Sequence, residues 1–383
     1  MSDSQPLLFT PLQLRGVELA NRIVVSPMCQ YSAENGYPSA YHPAHYGKFA
    51  LGGAGAVFTE ATAVTREGRI TNGCLGPWED GQTDALRPIA QFLKDHGSAP
   101  GIQLAHAGRK ASMQRPWHGN GPQTVADRAR GDEIWQPIAP SAAPLDDGWL
   151  TPREMQVEDL EAVKAAFAAA AGRAIKAGFE IVELHMGHGY LMQTFLSPLS
   201  NLRQDAYGGS RQGRMRFPLE VAAAVRAALP DSTPLFARIS SVDGLEGGWD
   251  LEDSVVLARE MKARGVDVVD CSSGGNSPKG ATNSSFKRGP GFQAPYAKKV
   301  RAEAGIMTQA VGLIREARFA ESLLQDGSAD LIALARQILF DPFWPHHAAR
   351  DLGVDMDYEA WPKQYGWWLE KWDKSLQATA ERP

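Results

Sequence analysis

Two histidines and a tyrosine, His185, His188 and Tyr190, lie close together directly after an apolar run of the sequence. Beyond the end of a strand, two imidazoles three residues apart can donate hydrogen bonds to one oxygen atom. A tyrosine two residues further on can deliver a proton to a neighbouring atom. The pattern predicts a catalytic site that holds an oxygen of its substrate and protonates the substrate nearby.

The histidine pair also permits two other interpretations. Imidazole is a common metal ligand, and a metal site would need a third ligand, for which Glu60 and Glu183 are the candidates. A metal-dependent barrel lyase or hydrolase is therefore an alternative function, and packing within a loop is the non-functional alternative. No acidic or histidine cluster accompanies the pair in the sequence, so oxygen binding is the favoured interpretation.

Eight short apolar runs recur along the chain and predict parallel β-strands buried on both faces. They are Arg22–Ser26, Ala54–Thr62, Pro100–Ala105, Phe179–His185, Pro234–Ile239, Val266–Cys271, Ile306–Val311 and Asp330–Ala335. Helical patterns separate most of these runs, among them Gln156–Lys176, Leu251–Ala263 and Glu316–Gln325. The alternation predicts a (β/α)8 TIM barrel or a doubly wound sheet. The strand count, and the lack of a glycine-rich dinucleotide motif after the first strand, favour the barrel, as one domain over 1–383.

Barrel enzymes place their chemistry at the carboxyl ends of the strands, so the residues there are the candidates for ligand binding. Arg238 lies near the end of the fifth run, Gly312 follows the seventh and Arg336 follows the eighth. A phosphate commonly sits at the ends of strands seven and eight, where glycine permits close backbone approach and arginine donates in a fork. These residues predict an anionic cofactor.

Two segments depart from the strand–helix rhythm. Residues 109–155 are rich in Pro, Gly and Arg and are predicted to form a lid over the barrel mouth. The tail, 350–383, is rich in aromatic residues, which pack either onto the chain's own barrel or against a neighbouring subunit.

Composition narrows the class of protein. The 383 residues include 39 Lys and Arg against 44 Asp and Glu, a net charge of −5 that argues against nucleic acid as a partner. Three cysteines are too few for a disulfide framework or a four-cysteine cluster. No long apolar run and no signal peptide is evident, so we expect a cytoplasmic protein without membrane contact, in which the Asn283 sequon is unmodified.

Short sequence motifs, spread in a fixed order along nearly the whole chain, resemble those of a known family. They occupy 8–11, 21–23, 26–31, 68–71, 101–111, 185–191, 196–201, 205–210 and 270–274. Together they resemble the old yellow enzyme family of flavin-dependent reductases. The match is closest to its thermophilic-like class of bacterial xenobiotic reductases and NADPH dehydrogenases, which Cys29 marks because other classes usually carry threonine there.

The resemblance implies non-covalently bound FMN at the barrel mouth, with NADPH or NADH as the hydride donor. The residues it implies along the flavin ring are Ser26, Pro27, Met28, Cys29, Ala61 and Gln103, with Cys29 tuning the reduction potential. Arg238 would lie at the pyrimidine edge of the ring. Gly312, Ala335 and Arg336 would hold the phosphate.

The resemblance also implies an ene-reductase that acts on α,β-unsaturated carbonyl compounds by a ping-pong mechanism. His185 and His188, assisted by Tyr31, would bind the substrate oxygen, and Tyr190 would donate the proton. A homodimer or homotetramer is implied, in which Trp367 or Trp368 of a neighbouring subunit completes the pocket.

Two of the positions that depart from the family pattern lie near the implied cofactor. Ala335 stands where glycine is usual, and its Cβ predicts a weaker contact with the FMN phosphate. A flavin-binding protein with little turnover is therefore a third possibility. Gln309 replaces a residue that is usually small.

Overall fold

A computed structural model of the chain describes residues 5–278 and 286–380. The sequon at Asn283 lies outside these ranges. Numbered in chain order, the strands are β1 (Leu12–Leu14), β2 (Val17–Leu19), β3 (Ile23–Val25), β4 (Ala56–Ala63), β5 (Ala99–Ala105), β6 (Ile138–Ala139), β7 (Arg153–Glu154), β8 (Ile181–Met186), β9 (Leu235–Ser240), β10 (Val268–Ser272), β11 (Met307–Val311) and β12 (Leu331–Leu334). The helices are α1 (Tyr41–Leu51), α2 (Asp80–Asp95), α3 (Val125–Ala129), α4 (Val157–Ala177), α5 (Leu191–Leu196), α6 (Arg211–Ala228), α7 (Leu251–Ala263), α8 (Ala294–Ala304), α9 (Ala317–Gln325), α10 (Arg336–Phe340), α11 (Trp344–Asp351) and α12 (Lys363–Ala380).

Eight parallel strands close into a barrel in the order β10-β11-β12-β3-β4-β5-β8-β9. The predicted (β/α)8 barrel is confirmed, and each predicted strand matches an observed one with ends that differ by at most two residues. Every residue of β4, β8 and β9 is buried, which explains why these strands are continuously apolar in sequence.

The helices follow the apolar periodicity of the sequence. α4 begins one residue after the predicted start, because Gln156 is its N-cap and forms a reciprocal capping box with Asp159. It ends at Gly178, whose φ of 95° provides the left-handed C-cap. α7 has the predicted bounds, and α9 begins one residue later than predicted. The helices thus cover the outer face of the barrel.

The bottom of the barrel is closed by an element that the strand pattern does not reveal. The antiparallel hairpin of β1 and β2 places Leu14 and Leu19 against Phe58 and Phe236 from inside the barrel. The two phenylalanine rings lie 5.6 Å apart between centroids. Because this end is filled with apolar side chains, ligands have to enter at the carboxyl ends of the strands.

The lid segment (109–155) contains α3 and the two-residue strands β6 and β7, which pair in parallel. Arg109 joins it to the barrel by donating hydrogen bonds to the carbonyls of Ala143, at 3.4 Å, and Pro144, at 3.3 Å. These contacts place the segment beside the loop that follows β10, where Asn276 Oδ1 accepts a 2.7 Å hydrogen bond from the same guanidinium.

The tail divides into a docked part and an exposed part. Trp361 stacks on Phe343, with ring centroids 5.4 Å apart, and on His346. Along α12, by contrast, Trp367, Trp368 and Trp372 are exposed. Among the described residues, no helix combines the length and the apolar character required to cross a bilayer.

Candidate active site

The strand ends bring His185, His188 and Tyr190 together at the barrel mouth. The two imidazole rings are perpendicular, with centroids 5.1 Å apart, and the His185 and Tyr190 ring centroids are 4.9 Å apart. In the β8–β9 register His185 lies opposite Arg238, which places a guanidinium next to the pair. The predicted catalytic groups therefore form one cluster.

The loop after β8 owes its shape to left-handed backbone at His188, with φ of 58°, and Gly189, with φ of 75°. A Cβ on Gly189 would lie 2.1 Å from the Gly275 carbonyl oxygen, so only glycine fits. Ser240 Oγ accepts a 2.9 Å hydrogen bond from the His188 amide. This turn aims the second imidazole back towards the first.

Both imidazoles are held in the neutral form. Burial, the Arg238 guanidinium and the Lys110 ammonium lower the pKa of His185 well below its usual value. The pKa of His188 is lowered well below its usual value by burial first, and then by Arg238, His185 and Lys110. Near neutral pH each ring therefore carries one N–H donor and one acceptor nitrogen.

Tyr190 and Tyr31 are both phenols that keep their protons. Burial is the main cause that raises the pKa of each well above its usual value, while a hydrogen bond with Tyr31 acts to lower that of Tyr190. Glu60 fixes the segment that carries Tyr31, since its carboxylate accepts the amide N–H groups of Gln30, at 3.0 Å, and Tyr31, at 3.4 Å. Tyr31 can thus face Tyr190 with a backbone φ of 50°.

A belt of polar side chains crosses the barrel interior below the histidines. Gln103 donates a 2.8 Å hydrogen bond to Glu183, Arg238 lies 3.5 Å from the Asp270 carboxylate, and Gln309 donates a 2.9 Å hydrogen bond to Asp270. Burial and the charge of Asp270 raise the pKa of Glu183 to about 8. Gln309 therefore has a structural reason for replacing a small residue, because its amide helps to satisfy a buried carboxylate.

A cavity of about 520 Å³ opens beside the cluster, a volume typical of cofactor sites. Four predicted residues line it: Arg238, Gly312, Ala335 and Arg336. Three residues that the sequence pattern does not predict, Arg288, Phe292 and Gln293, line the same cavity from the loop before α8. That loop has no regular pattern, and only the closed barrel brings it to the ends of β11 and β12.

The cavity fits FMN by the chemistry of its donors. Arg238, Arg288 and Arg336 supply positive charge, and Arg238 Nε is a buried polar atom without a hydrogen-bond partner in the described chain. Phosphate, ribityl and pyrimidine oxygens would satisfy such donors. Gly312, with φ of 120°, lets the backbone approach closely, and Ala335 has a negative φ of −116°, so its Cβ brings no left-handed strain.

The other predicted ring-contacting residues lie on adjacent strand ends outside the lining of that cavity. Ser26 is buried and donates its amide to the Leu334 carbonyl at 2.9 Å, and Pro27, Met28 and Cys29 follow it half-buried. Ala61 and Gln103 are buried and face each other in the β4–β5 register. Their contacts with the flavin stay predictions.

Neither Trp367 nor Trp368 reaches the mouth of its own barrel. Their side chains are 51% and 66% exposed on α12, and Trp368 borders a shallow apolar surface cavity with Phe343 and Tyr365. The entry of either side chain into the pocket of a neighbouring subunit, which the resemblance implies, stays a prediction.

The metal-site alternative lacks a ligand set at the histidines. Glu60 binds backbone amides and lies 3.3 Å from His42, and Glu183 accepts from Gln103. In the part of the chain that the structure describes, the one group of three suitable ligands lies in the lid segment: His118, Asp127 and Asp132. The donor set around His185 and His188 therefore suits an oxygen ligand.

Replacing Gly312 with alanine is expected to weaken FMN binding about tenfold, because a left-handed backbone costs a non-glycine residue about 1–3 kcal/mol and relief of that strain would move the backbone that lines the cavity. The added Cβ would also lie 2.8 Å from Gln293 Oε1. The dissociation constant of FMN, measured by fluorescence quenching, checks this. Gly289→Ala is the matched control, because its Cβ would meet nothing within 4 Å. Equal affinities for the two variants would contradict the placement of the cofactor beside Gly312.

Comparison with known proteins identifies the family. The model of the NADH:flavin oxidoreductase / NADH oxidase family matches residues 7–354. An NADPH dehydrogenase of Geobacillus sp. (strain WCH70) is 45% identical over 352 residues, which cover 91% of this chain and 96% of that protein. An NADPH dehydrogenase of Bacillus subtilis (strain 168) is 40% identical over 364 residues, which cover 94% of this chain and 99% of that protein.

Solved structures agree with the family assignment. Morphinone reductase in complex with tetrahydroNAD superposes with a TM-score of 0.73 at 27% identity, covering 91% of this chain and 92% of its own. The old yellow enzyme homologue from Zymomonas mobilis, at 24% identity and a TM-score of 0.75, shares the fold over 94% of this chain and 99% of its own. The chain thus belongs to the NADH:flavin oxidoreductase / NADH oxidase family and is an NAD(P)H-dependent FMN oxidoreductase of the old yellow enzyme type.

Proposed function

We propose that this enzyme is an ene-reductase, which reduces the activated C=C bond of α,β-unsaturated carbonyl compounds. One observation carries the proposal. Two neutral imidazoles and a protonated phenol meet at the barrel mouth beside the cofactor cavity, with His185 and Tyr190 rings 4.9 Å apart.

The imidazoles are suited to hold a carbonyl oxygen because each has an N–H free to donate. His185 Nδ1 accepts the Gly187 amide at 3.3 Å, which leaves its Nε2 as the N–H. His188 Nε2 lies 2.8 Å from Ser272 Oγ, which already accepts from Gln293 at 3.1 Å. We infer that the serine hydroxyl donates to His188 Nε2, so that Nδ1 carries the second N–H. Two donors on one oxygen polarise the conjugated double bond.

Tyr190 is suited to protonate the carbon next to the carbonyl. Burial raises its pKa, so the phenol keeps its proton near neutral pH, and Tyr31 supplies a hydrogen-bonding partner for the phenolate that forms. When bound, FMN supplies the hydride chemistry, as acceptor from the reduced nicotinamide and donor to the β-carbon of the substrate. The β1–β2 hairpin fills the other end of the barrel, so nicotinamide and enone share one entrance and exchange places in a ping-pong sequence.

The exposed aromatic side chains of α12 support a homodimer or homotetramer in which Trp367 or Trp368 enters the neighbouring pocket. Trp368→Ala should then change the affinity for enones only in the assembled protein. Sedimentation of the wild-type protein, which gives its oligomeric state, checks the premise; a monomer at micromolar concentration would refute it.

The experiment that tests the function is a visible spectrum of the FMN-loaded protein during titration with a simple phenol. A long-wavelength charge-transfer band is expected, because the histidine pair would hold the phenolate over the ring. Anaerobic mixing of the reduced protein with cyclohex-2-enone should then restore the oxidised flavin spectrum. A flavin spectrum with neither response would refute the ene-reductase proposal while leaving the family assignment intact.

A further inference from the structure

Lys110 is a buried lysine beside the histidine pair that the proposed reaction does not use. It follows β5, and only 7% of its surface is exposed. Its ammonium donates hydrogen bonds to the His188 carbonyl, at 2.8 Å, and to the Gly275 carbonyl. The charge also lies 5.6 Å from the centroid of the Tyr190 ring. Lys110 therefore touches both loops that form the active-site mouth.

This ammonium has no counter-ion in the described chain. No carboxylate oxygen among the described residues comes within ion-pair distance of it, and the charge that acts on it is another cation, Arg109, beside it in sequence. Asp243 attracts Arg109 and accepts hydrogen bonds from Gln193 and Ser197. Burial and the neighbouring Arg109 lower the pKa of Lys110 to about 7. A buried cation without a counter-charge is costly, and an anionic ligand would relieve that cost.

A second cavity, of about 210 Å³, receives Lys110 together with His188, Tyr31 and Tyr190. Trp149 of the lid segment and Ser277 also line this cavity. Ser277 Oγ is buried and has no hydrogen-bond partner in the described chain. The cavity thus combines a cation and a spare hydroxyl donor with an aromatic wall, next to the groups that would hold the substrate oxygen.

We propose that Lys110 and Ser277 form an anion subsite, so that the enzyme prefers unsaturated carbonyl substrates that also carry a carboxylate. The inference rests on the proposed function, because it adds a second anchoring point to the same substrate. The carbonyl oxygen of such a substrate lies between His185 and His188. Its carboxylate accepts from the Lys110 ammonium and the Ser277 hydroxyl.

The test compares two charged phenols, 3- and 4-hydroxybenzoate, with the corresponding neutral hydroxybenzamides as ligands of the FMN-loaded enzyme. Dissociation constants from the charge-transfer band are the readout. At least one benzoate is expected to bind about 10- to 100-fold more tightly than its amide, as is typical of a charge-assisted hydrogen bond. Lys110→Gln should abolish that preference and affect amide binding much less, since glutamine keeps an N–H donor but carries no charge.

Two controls make the result decisive. Lys94→Met removes an exposed positive charge, paired with Glu180, far from the site, and should keep the preference. Between pH 6 and pH 9 the ratio of amide to benzoate dissociation constants should fall for the wild type, because the ammonium is present below its pKa and lost above it. In the Lys110→Gln variant this fall should be absent.

The outcomes separate this inference from the proposed function. Benzoates that bind no better than amides, or a preference that survives in Lys110→Gln, would overturn the subsite while the amide's charge-transfer band upholds the histidine clamp. Failure of every phenol to bind would overturn the clamp and the subsite together.

Discussion

Replacing Tyr190 with phenylalanine is expected to slow the reaction of the reduced enzyme with an enone about 10²- to 10⁴-fold, the usual contribution of a positioned general acid. The reaction with NADPH should stay within a few-fold of wild type, because that half-reaction needs no proton from the phenol. Phenol affinity should also change little, since the histidine pair remains. Stopped-flow absorbance of the flavin measures the two half-reactions separately.

Tyr31→Phe is the matched control for this variant. Tyr31 is also a buried phenol at the same mouth, but we place it as the partner of Tyr190 and not as the proton donor. It should lower the enone rate much less than Tyr190→Phe. A larger effect of Tyr31→Phe, or an undiminished enone rate in Tyr190→Phe, would reassign the acid.

The second large effect concerns the oxygen clamp. The double variant His185→Ala/His188→Ala is expected to weaken phenol binding by about 3–6 kcal/mol, because two hydrogen bonds to a charged oxygen contribute about 1.5–3 kcal/mol each. That corresponds to a dissociation constant about 10²- to 10⁴-fold higher. The charge-transfer band of the flavin on titration with 4-hydroxybenzaldehyde gives the value.

Asparagine provides the informative comparison. His185→Asn/His188→Asn keeps an N–H donor at each position and should recover part of the lost affinity. FMN content of each variant must be measured alongside, because Arg238 lies directly opposite His185 in the sheet. Wild-type affinity in the alanine double variant would rule out the clamp and return the histidines to a packing role.

Much of the fold could be predicted from local sequence. The continuous apolar runs located all eight barrel strands, because strands buried on both faces cannot alternate with polar residues. Capping chemistry likewise fixed the ends of α4 at Gln156 and Gly178. The β1–β2 hairpin was not predicted, because strands of three residues are too short for their sequence pattern to be distinguished from that of a loop.

The site was predicted where its residues follow strand ends, and missed where they do not. His185, Arg238 and Arg336 occupy such ends, whereas Arg288 reaches the cofactor cavity from an irregular loop. Lys110 was visible in the sequence as one of two basic residues after β5, but nothing local distinguishes a buried lysine from a solvated one.

The sequence by itself determined the barrel, the residue types at its mouth and the resemblance to flavin-dependent reductases, since all of these depend on periodicity and short-range order. Only the tertiary structure decided which side chains are buried next to one another. It made the imidazoles neutral by burying them and by placing them beside Arg238 and Lys110, and it gave Gln309 a buried carboxylate to satisfy. It left Trp367 and Trp368 exposed on α12. Burial and the approach of distant charges set these properties, and both arise only when the closing barrel brings remote segments together.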